Sequence, residues 1–229
     1  MTPPVIAIDG PVGSGKGTIA QQLAEALGFH LLDSGALYRL SALAARRAGV
    51  VLDDGEALAA VAANMRIRFE PRPGQGVATY LDGADVSLEL RTEQTGELAS
   101  QVAALPALRA ALLAVQRDFR RAPGLVADGR DMGTVVFPGA GLKIFLTASA
   151  EERARRRFAQ LRNKGLDASL PDLLQEIRAR DERDSQRAVS PLQAAADAVV
   201  VDSTSMSVEA VREKLLKLAR QRLGGDSPR

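Results

Sequence analysis

Short continuous runs of apolar residues alternate along this chain with longer segments in which apolar residues recur every three or four positions. The short runs predict buried strands over residues 5–8, 29–32, 125–127, 142–146 and 198–201. The longer segments predict helices over residues 16–27, 36–47, 53–64, 92–104, 106–121, 150–162, 170–187 and 208–223. Strands that alternate with helices predict an α/β fold: a five-stranded parallel sheet with helices on both faces.

One stretch breaks this alternation with a pattern of period two. Residues 65–69 and 77–81 alternate apolar and polar side chains, and the sequence PRPGQG between them is typical of a turn. Asp82 and Gly83 form a tight-turn signal before residues 84–86. The pattern predicts a small antiparallel β insert over residues 65–86, which either decorates the fold or belongs to a mobile substrate-binding arm.

A glycine-rich loop, within the sequence VIAIDGPVGSGKGT, joins the first predicted strand to the first predicted helix. Gly10, Gly13 and Gly15 let backbone N–H groups turn inward, because no Cβ opposes a positive φ. The helix N-terminus adds a partial positive charge, and Lys16 can reach the outer phosphates of a nucleotide. The context favours a phosphate site, although a tight turn without a ligand has the same glycine pattern.

Position 17 departs from the general P-loop pattern. That pattern places Ser or Thr directly after the lysine, where the hydroxyl holds Mg²⁺. Here Gly17 follows Lys16, and Thr18 comes one position later. The sequence therefore predicts the phosphate contacts but leaves the metal ligands undefined.

Composition limits the class of protein. A chain of 229 residues with 46% hydrophobic and 25% charged residues suffices for one α/β core with an insertion. The absence of cysteine excludes disulfides and thiolate metal sites. No apolar run approaches the roughly 18 residues of a membrane span, and the N-terminus has no secretion signal. We expect a cytoplasmic protein that binds no membrane.

The charge is nearly balanced, at +2, although 30 residues are Lys or Arg, most of them Arg. This abundance fits a compositional bias, and it also fits arginines that bind phosphate through their fork of donors. Only 3% of the residues are aromatic, which argues against single-stranded nucleic acid because its bases need stacking platforms. We expect no nucleic acid partner.

Polar side chains follow two of the predicted strands, where open α/β sheets bind ligands. Ser34 and Arg39 follow the second strand, although Ser34 could only cap a helix and Arg39 could only face solvent. Arg130 and Asp131 follow the third strand together with Asp128. Buried acidic and basic groups need partners, so this second cluster favours a site.

Two helices are rich in charge. The helix after Ser149 carries five arginines, which either form a solvated face or close over a triphosphate: Arg153, Arg155, Arg156, Arg157 and Arg162. The next helix places Arg180, Asp184 and Arg187 on one face. These three could form intrahelical ion pairs or contact a substrate.

Five motifs together resemble bacterial cytidylate kinase: GPVGSGKGT, LLDSGALYR, LASQVAALPALR, VADGRDMGTVVFP and IRARDERDSQRAV. The resemblance runs from Val5 to about Leu218. It implies a P-loop kinase that transfers the γ-phosphate of ATP to CMP or dCMP with Mg²⁺. It also implies a single domain over residues 1–223, with a core of 4–33 and 122–223, a monophosphate-binding arm of 34–121, a lid of 153–165 and a flexible tail of 224–229.

The resemblance also implies residue roles. ATP would be bound by Gly10, Pro11, Val12, Gly13, Ser14, Gly15, Lys16, Gly17 and Thr18. CMP would be bound by Ser34, Arg39, Ser100, Arg109, Arg130, Asp131, Arg180, Asp184 and Arg187. The catalytic set would be Lys16, Arg130, Arg157 and Arg187. We expect a monomer whose partners are its small-molecule substrates.

Two alternatives stay open at this point. A kinase for another small acceptor, such as UMP or shikimate, would share the loop and the sheet. A nucleotide-dependent switch of the GTPase type would need an N/T-K-x-D element, which this sequence lacks. A kinase and a switch differ in whether an acceptor is phosphorylated.

Overall fold

The computed structural model describes residues 2–72, 76–163 and 165–224. Its strands are β1 Val5–Asp9, β2 His30–Asp33, β3 Ile67–Arg72, β4 Gly76–Leu81, β5 Ala84–Asp85, β6 Leu125–Gly129, β7 Leu142–Thr147 and β8 Val199–Asp202. Its helices are α1 Lys16–Leu27, α2 Ser34–Arg47, α3 Gly55–Asn64, α4 Glu93–Val102, α5 Pro106–Arg117, α6 Ala150–Asn163, α7 Leu170–Ser185 and α8 Val208–Leu223. Each predicted strand and helix is present, with ends that differ by a few residues.

Five strands form one parallel sheet in the order β2-β6-β1-β7-β8. The chain passes from β1 to one side of the sheet and later to the other, so the strand order reverses at β1. Asp33 lies opposite Asp128, and Asp9 lies opposite Gly129. The predicted P-loop kinase fold class is confirmed, and its polar residues gather where ligands bind such sheets.

The core of this sheet is a layer of aliphatic side chains beneath α1 and α8. Alternate strand residues such as Ile6 and Ile8 point to one face, where Ile19 and Leu23 of α1 and Leu215 of α8 cover them. All five are at most 2% exposed. Burial of an aliphatic side chain stabilises the fold by roughly 1.5–3 kcal/mol. This layer therefore holds β1 in place, and the glycine loop leaves the carboxyl end of that strand.

The chain divides into two compact units. The first contains residues 1–33 and 117–229, and the second is Ser34–Gln116. The second unit holds α2 to α5 and the predicted β insert, a three-stranded antiparallel sheet in the order β3-β4-β5. Arg68 stacks 4.1 Å from the ring of Tyr80 on this small sheet. Part of the predicted turn, residues 73–75, lies outside the described residues.

Several details differ from the predictions. Helix α7 ends at Ser185, so Arg187 lies just beyond the helix, and α5 ends at Arg117 rather than at residue 121. A π-helical turn, Met132–Val136, follows β6 and was not predicted. Lys164 of the predicted lid and residues 225–229 of the predicted tail lie outside the described residues.

No single helix in the described part of the chain is long and apolar enough to cross a membrane. Within the same described residues, one bent pair of helices, Gln94–Val102 and Pro106–Arg117, meets the length and composition requirement when the two are taken together.

Candidate active site

The glycine loop leaves the buried strand β1 and ends at the N-terminus of α1. Gly10 has φ +155°, and a Cβ there would lie 2.0 Å from the carbonyl oxygen of Leu146, so only glycine fits. Gly15 precedes α1 in the left-handed conformation, with φ +87°. The loop therefore presents backbone N–H groups at a helix N-terminus, which is a ready anion site.

Lys16 is the buried cation of this loop. Its side chain donates from Nζ to the carbonyl oxygen of Pro11 at 3.1 Å. Burial lowers the pKa of Lys16 to about 7; Arg130 acts in the same direction, and Asp128 opposes both. Burial likewise raises the pKa of Asp128 to about 7, against the opposing charge of Lys16. An incoming anion would therefore favour the protonated form of Lys16.

Asp9 organises the turn that follows β6, and the sequence reasoning missed it. Its two carboxylate oxygens accept the backbone N–H groups of Met132 and Gly133, each at 2.8 Å. Burial raises the pKa of Asp9 to about 6, although these two hydrogen bonds lower it. The turn begins directly after Asp131, which is 3% exposed. Asp9 thus fixes the backbone that carries Asp131. An aspartate at the end of a wholly apolar strand was the available signal, because a buried carboxylate needs partners.

Asp184 joins two arginines that are distant in sequence. Its Oδ2 accepts from Nε of Arg130 at 2.9 Å, and its Oδ1 accepts a short hydrogen bond from Arg187. Burial would raise the pKa of Asp184, but the charges of Arg130 and Arg187 outweigh it and hold the pKa below 3.8. Arg180 also lies close enough to act on both Asp184 and Lys16. The cluster is therefore more than a set of intrahelical pairs.

The arginines of α6 take different positions. Arg153 is 4% exposed, which excludes a solvated face for this residue, and it donates to Val12, Ala148 and Asp181. Arg156 donates to the carbonyl oxygens of Ser14 and Ser203.

Two further arginines of α6 make local contacts. Arg155 is exposed beside Glu152, and Arg157 donates to Gln160 at 3.3 Å. The sequence reasoning named Arg156 only as one of the five arginines of this helix, and it did not name Asp181.

Four predicted CMP-binding residues lie in the second unit. Ser34 is the first residue of α2 and is buried, and Arg39 follows in the same helix, half-buried. Arg109 donates to the carbonyl oxygen of Ala103 at 3.0 Å, and its guanidinium lies 5.7 Å from the ring of Tyr38. Ser100 is buried, and its hydroxyl has no hydrogen-bond partner within the described residues. A buried hydroxyl of this kind is a candidate ligand contact.

The other predicted residues lie in the first unit. The structure brings together Lys16, Arg130, Arg180, Asp184 and Arg187 through the contacts and charges described above. Asp131 stands at the start of the turn that Asp9 holds. These groups form a cluster with more cationic than anionic side chains beside the glycine loop.

Comparison with known proteins gives the family. The family model described as cytidylate kinase matches residues 6–221. A cytidylate kinase from Pseudomonas savastanoi pv. phaseolicola is 63% identical over 214 residues, covering 93% of each chain. The cytidylate kinase of Aeromonas salmonicida is 58% identical over 224 residues, covering 98% of this chain and 97% of the relative.

Solved structures agree at the level of the fold. An uncharacterised protein from Eubacterium ventriosum, 12% identical, superimposes with a TM-score of 0.50 and covers 96% of this chain and 99% of its own. The glycine loop, the arginine cluster beside it and the high identity to whole relatives lead to one conclusion. The chain belongs to the cytidylate kinase family.

Proposed function

We propose that this chain transfers the γ-phosphate of ATP to CMP or dCMP, as a cytoplasmic monomer, with the residue roles given below. The products are ADP and CDP or dCDP. The family membership supports the reaction, and one observation supports the roles: the buried cation Lys16 lies beside a cluster of arginines at the carboxyl edge of the sheet.

The glycine loop would bind the phosphates of ATP. Residues 10–18 supply backbone N–H groups and the N-terminus of α1, and Lys16 supplies a charge at the outer phosphates. Nζ of Lys16 donates to the carbonyl oxygen of Pro11 within the loop. A phosphate oxygen would replace that carbonyl oxygen and would favour the protonated lysine.

The reaction needs positioning and charge stabilisation more than acid–base chemistry. The attacking group is a phosphate oxygen of the monophosphate, which is already anionic near neutral pH. Two anions must approach each other, so cations between them lower the barrier. We assign this role to Lys16, Arg130, Arg157 and Arg187. Arg39 would also lie near the CMP phosphate, and Arg180 would contact the sugar.

The base would be chosen by hydrogen-bond polarity. Cytosine has an amino donor at N4 and acceptors at N3 and O2, whereas uracil has an acceptor at O4 and a donor at N3. A carboxylate accepts only and a guanidinium donates only, so Asp131 at N4 and Arg109 at N3 and O2 would fit cytosine and oppose uracil. The buried hydroxyls of Ser34 and Ser100 would support the ring, and Asp184 would contact the sugar.

The metal would be Mg²⁺, and the residues at the loop fit it. Mg²⁺ in such sites takes one or two carboxylates and otherwise phosphate oxygens and waters. Within the described residues no group of three or more His, Cys, Asp or Glu side chains could hold a metal, but Asp33 and Asp128 lie opposite each other on adjacent strands. An added Cβ at Gly17 would lie 3.2 Å from Oδ2 of Asp128, so glycine at this position leaves that carboxylate room beside the loop. We propose that Asp33 and Asp128 hold Mg²⁺, which neutralises phosphate charge when bound.

An acceptor panel tests the proposal. The purified protein is given ATP and Mg²⁺ with CMP, dCMP, UMP, shikimate or no acceptor, and ADP formation is read as kcat/KM. We expect CMP and dCMP to exceed UMP by up to about 10⁴, because a polar site left unpaired rejects the wrong ligand strongly. Equal use of UMP would refute the base-recognition set. Slow hydrolysis that ignores every acceptor would instead favour a switch.

A further inference from the structure

The peptide groups of the glycine loop are held from behind by α6. Nη1 of Arg153 donates to the carbonyl oxygen of Val12 at 3.0 Å, and Nη1 of Arg156 donates to that of Ser14 at 3.4 Å. In a trans peptide the C=O and the following N–H point in opposite directions. The N–H groups of Gly13 and Gly15 are therefore directed away from α6.

Arg153 is itself fixed by a pair on α7. Its two terminal nitrogens donate to both carboxylate oxygens of Asp181, at 2.9 and 2.5 Å, and its Nε donates to Ala148 at 2.9 Å. The Arg153 side chain is 5% exposed and that of Asp181 is 29% exposed. A bidentate arginine–carboxylate pair of this kind fixes geometry as well as charge.

The loop also packs against this arrangement. A Cβ at Gly13 would lie 3.2 Å from Cβ of Arg153, and Val12 packs on the apolar cluster of Ala154, Leu173 and Ile177 between α6 and α7. The loop thus rests on both helices. The hydrogen bonds of Asp181 connect it to the loop through Arg153.

We propose that Arg153 and Asp181 are positioning residues for ATP: Asp181 orients Arg153, and Arg153 holds the Val12–Gly13 peptide so that the Gly13 N–H faces the nucleotide phosphates. Neither side chain touches substrate in this role. The proposal rests on the proposed phosphate-binding role of the loop. Arg153 and Asp181 would act on ATP only through the backbone of the glycine loop.

Asp181→Asn tests the pair, because it keeps the shape and removes the charge and one acceptor. Arg153→Lys keeps the positive charge and removes the guanidinium that donates two parallel hydrogen bonds to Asp181. We expect each variant to lower kcat/KM for ATP by roughly 10- to 100-fold, with KM for CMP within about twofold of the wild type. If KM for CMP rose by the same factor as kcat/KM for ATP fell, the proposal would be overturned.

Glu151→Gln is the matched control. Glu151 on α6 accepts from Arg178 on α7 at 2.7 Å, so this pair joins the same two helices. Its side chains are 49% and 63% exposed, and within the described residues they make no hydrogen bond to the glycine loop. We expect wild-type kinetics from this variant. If it matched Asp181→Asn, the effect would belong to helix packing rather than to the loop.

A spectroscopic measurement separates positioning from stability. In ¹H–¹⁵N spectra, addition of ADP should shift the Gly13 and Gly15 amides of the wild type. In Asp181→Asn we expect the Gly13 shift to shrink by at least half, with the Gly15 shift largely retained because Arg156 holds that peptide. Wild-type shifts at both glycines would refute the proposal. Lys16→Ala that still bound ADP normally would instead refute the phosphate-binding role of the loop.

Discussion

Asp184→Asn isolates the charge that holds the arginine cluster together. Asp184 is 1% exposed and accepts from Arg130 and Arg187, whose side chains are 18% and 7% exposed. Asparagine keeps the shape and one acceptor oxygen, but its amide group then faces a guanidinium donor. The variant therefore loses one charge-assisted hydrogen bond and leaves two buried cations without their shared anion.

The magnitude follows from the burial of all three groups. Breaking a buried ion pair by removing one partner costs about 3–5 kcal/mol, and one acceptor remains here, so the lower end applies. We expect the free energy of unfolding to fall by roughly 3 kcal/mol at pH 7, measured by urea denaturation. This is a large part of the 5–15 kcal/mol typical of a whole protein. Glu89→Gln, in an exposed pair with Arg47, is the control and should cost less than about 1 kcal/mol.

The pH dependence provides an independent check. The neighbouring arginines hold the pKa of Asp184 below 3.8, its ordinary value. The carboxylate therefore contributes stability above pH 3.8, and this contribution is lost as the pH falls through the folded-state pKa. The difference between wild type and variant should shrink in acid, because protonated aspartate resembles asparagine. A difference that is below about 0.5 kcal/mol at pH 7, or that stays constant to pH 3, would refute this reasoning.

Three further variants and one titration test the assigned roles. Lys16→Ala should lower phosphotransfer by roughly 10²–10³ while the protein stays folded, and near-normal transfer would contradict the loop assignment. Asp131→Ala should lower kcat/KM for CMP by roughly 10–10³ and for UMP far less; equal losses would mean that Asp131 does not read the base. Arg157→Ala should lower kcat more than it weakens CMP binding. If activity and stability both changed by less than about 0.5 kcal/mol, Arg157 would be a solvent-facing residue with no catalytic role. Because burial lowers the pKa of Lys16 to about 7, Lys16 should take up a proton when metal-free ADP binds at pH 8. Calorimetry in two buffers measures this uptake, and zero uptake would contradict the lowered pKa of Lys16.

The fold class and the position of the glycine loop could be predicted from the sequence alone. Continuous apolar runs and helical periodicity depend on which side chains can be buried in each element. These local patterns predicted both the parallel sheet and the separate antiparallel β insert. The glycines at 10 and 15 could be assigned for the same reason, since their positive φ is a local backbone property. Arg130 and Asp131 could be placed together because they directly follow a buried strand.

Only the tertiary structure decided what lies against each polar side chain. Helical spacing put Arg153 and Arg157 on one face of α6, but it could not say that Arg153 would meet the carbonyl oxygen of Val12 while Arg157 would contact Gln160. Likewise the spacing of Asp184 and Arg187 suggested an intrahelical pair, and the fold added Arg130, which directly follows β6.

The physical reason is the same in each case. Periodicity in a sequence reports which side chains share a face, and contact with a residue far along the chain depends on how separate elements pack. Asp9 shows this most clearly, because its partners Met132 and Gly133 are backbone N–H groups in a turn that no side-chain pattern marks. The sequence alone determined the elements and the backbone conformation of the glycine loop, and packing decided which charged groups hold the loop and the turn in place.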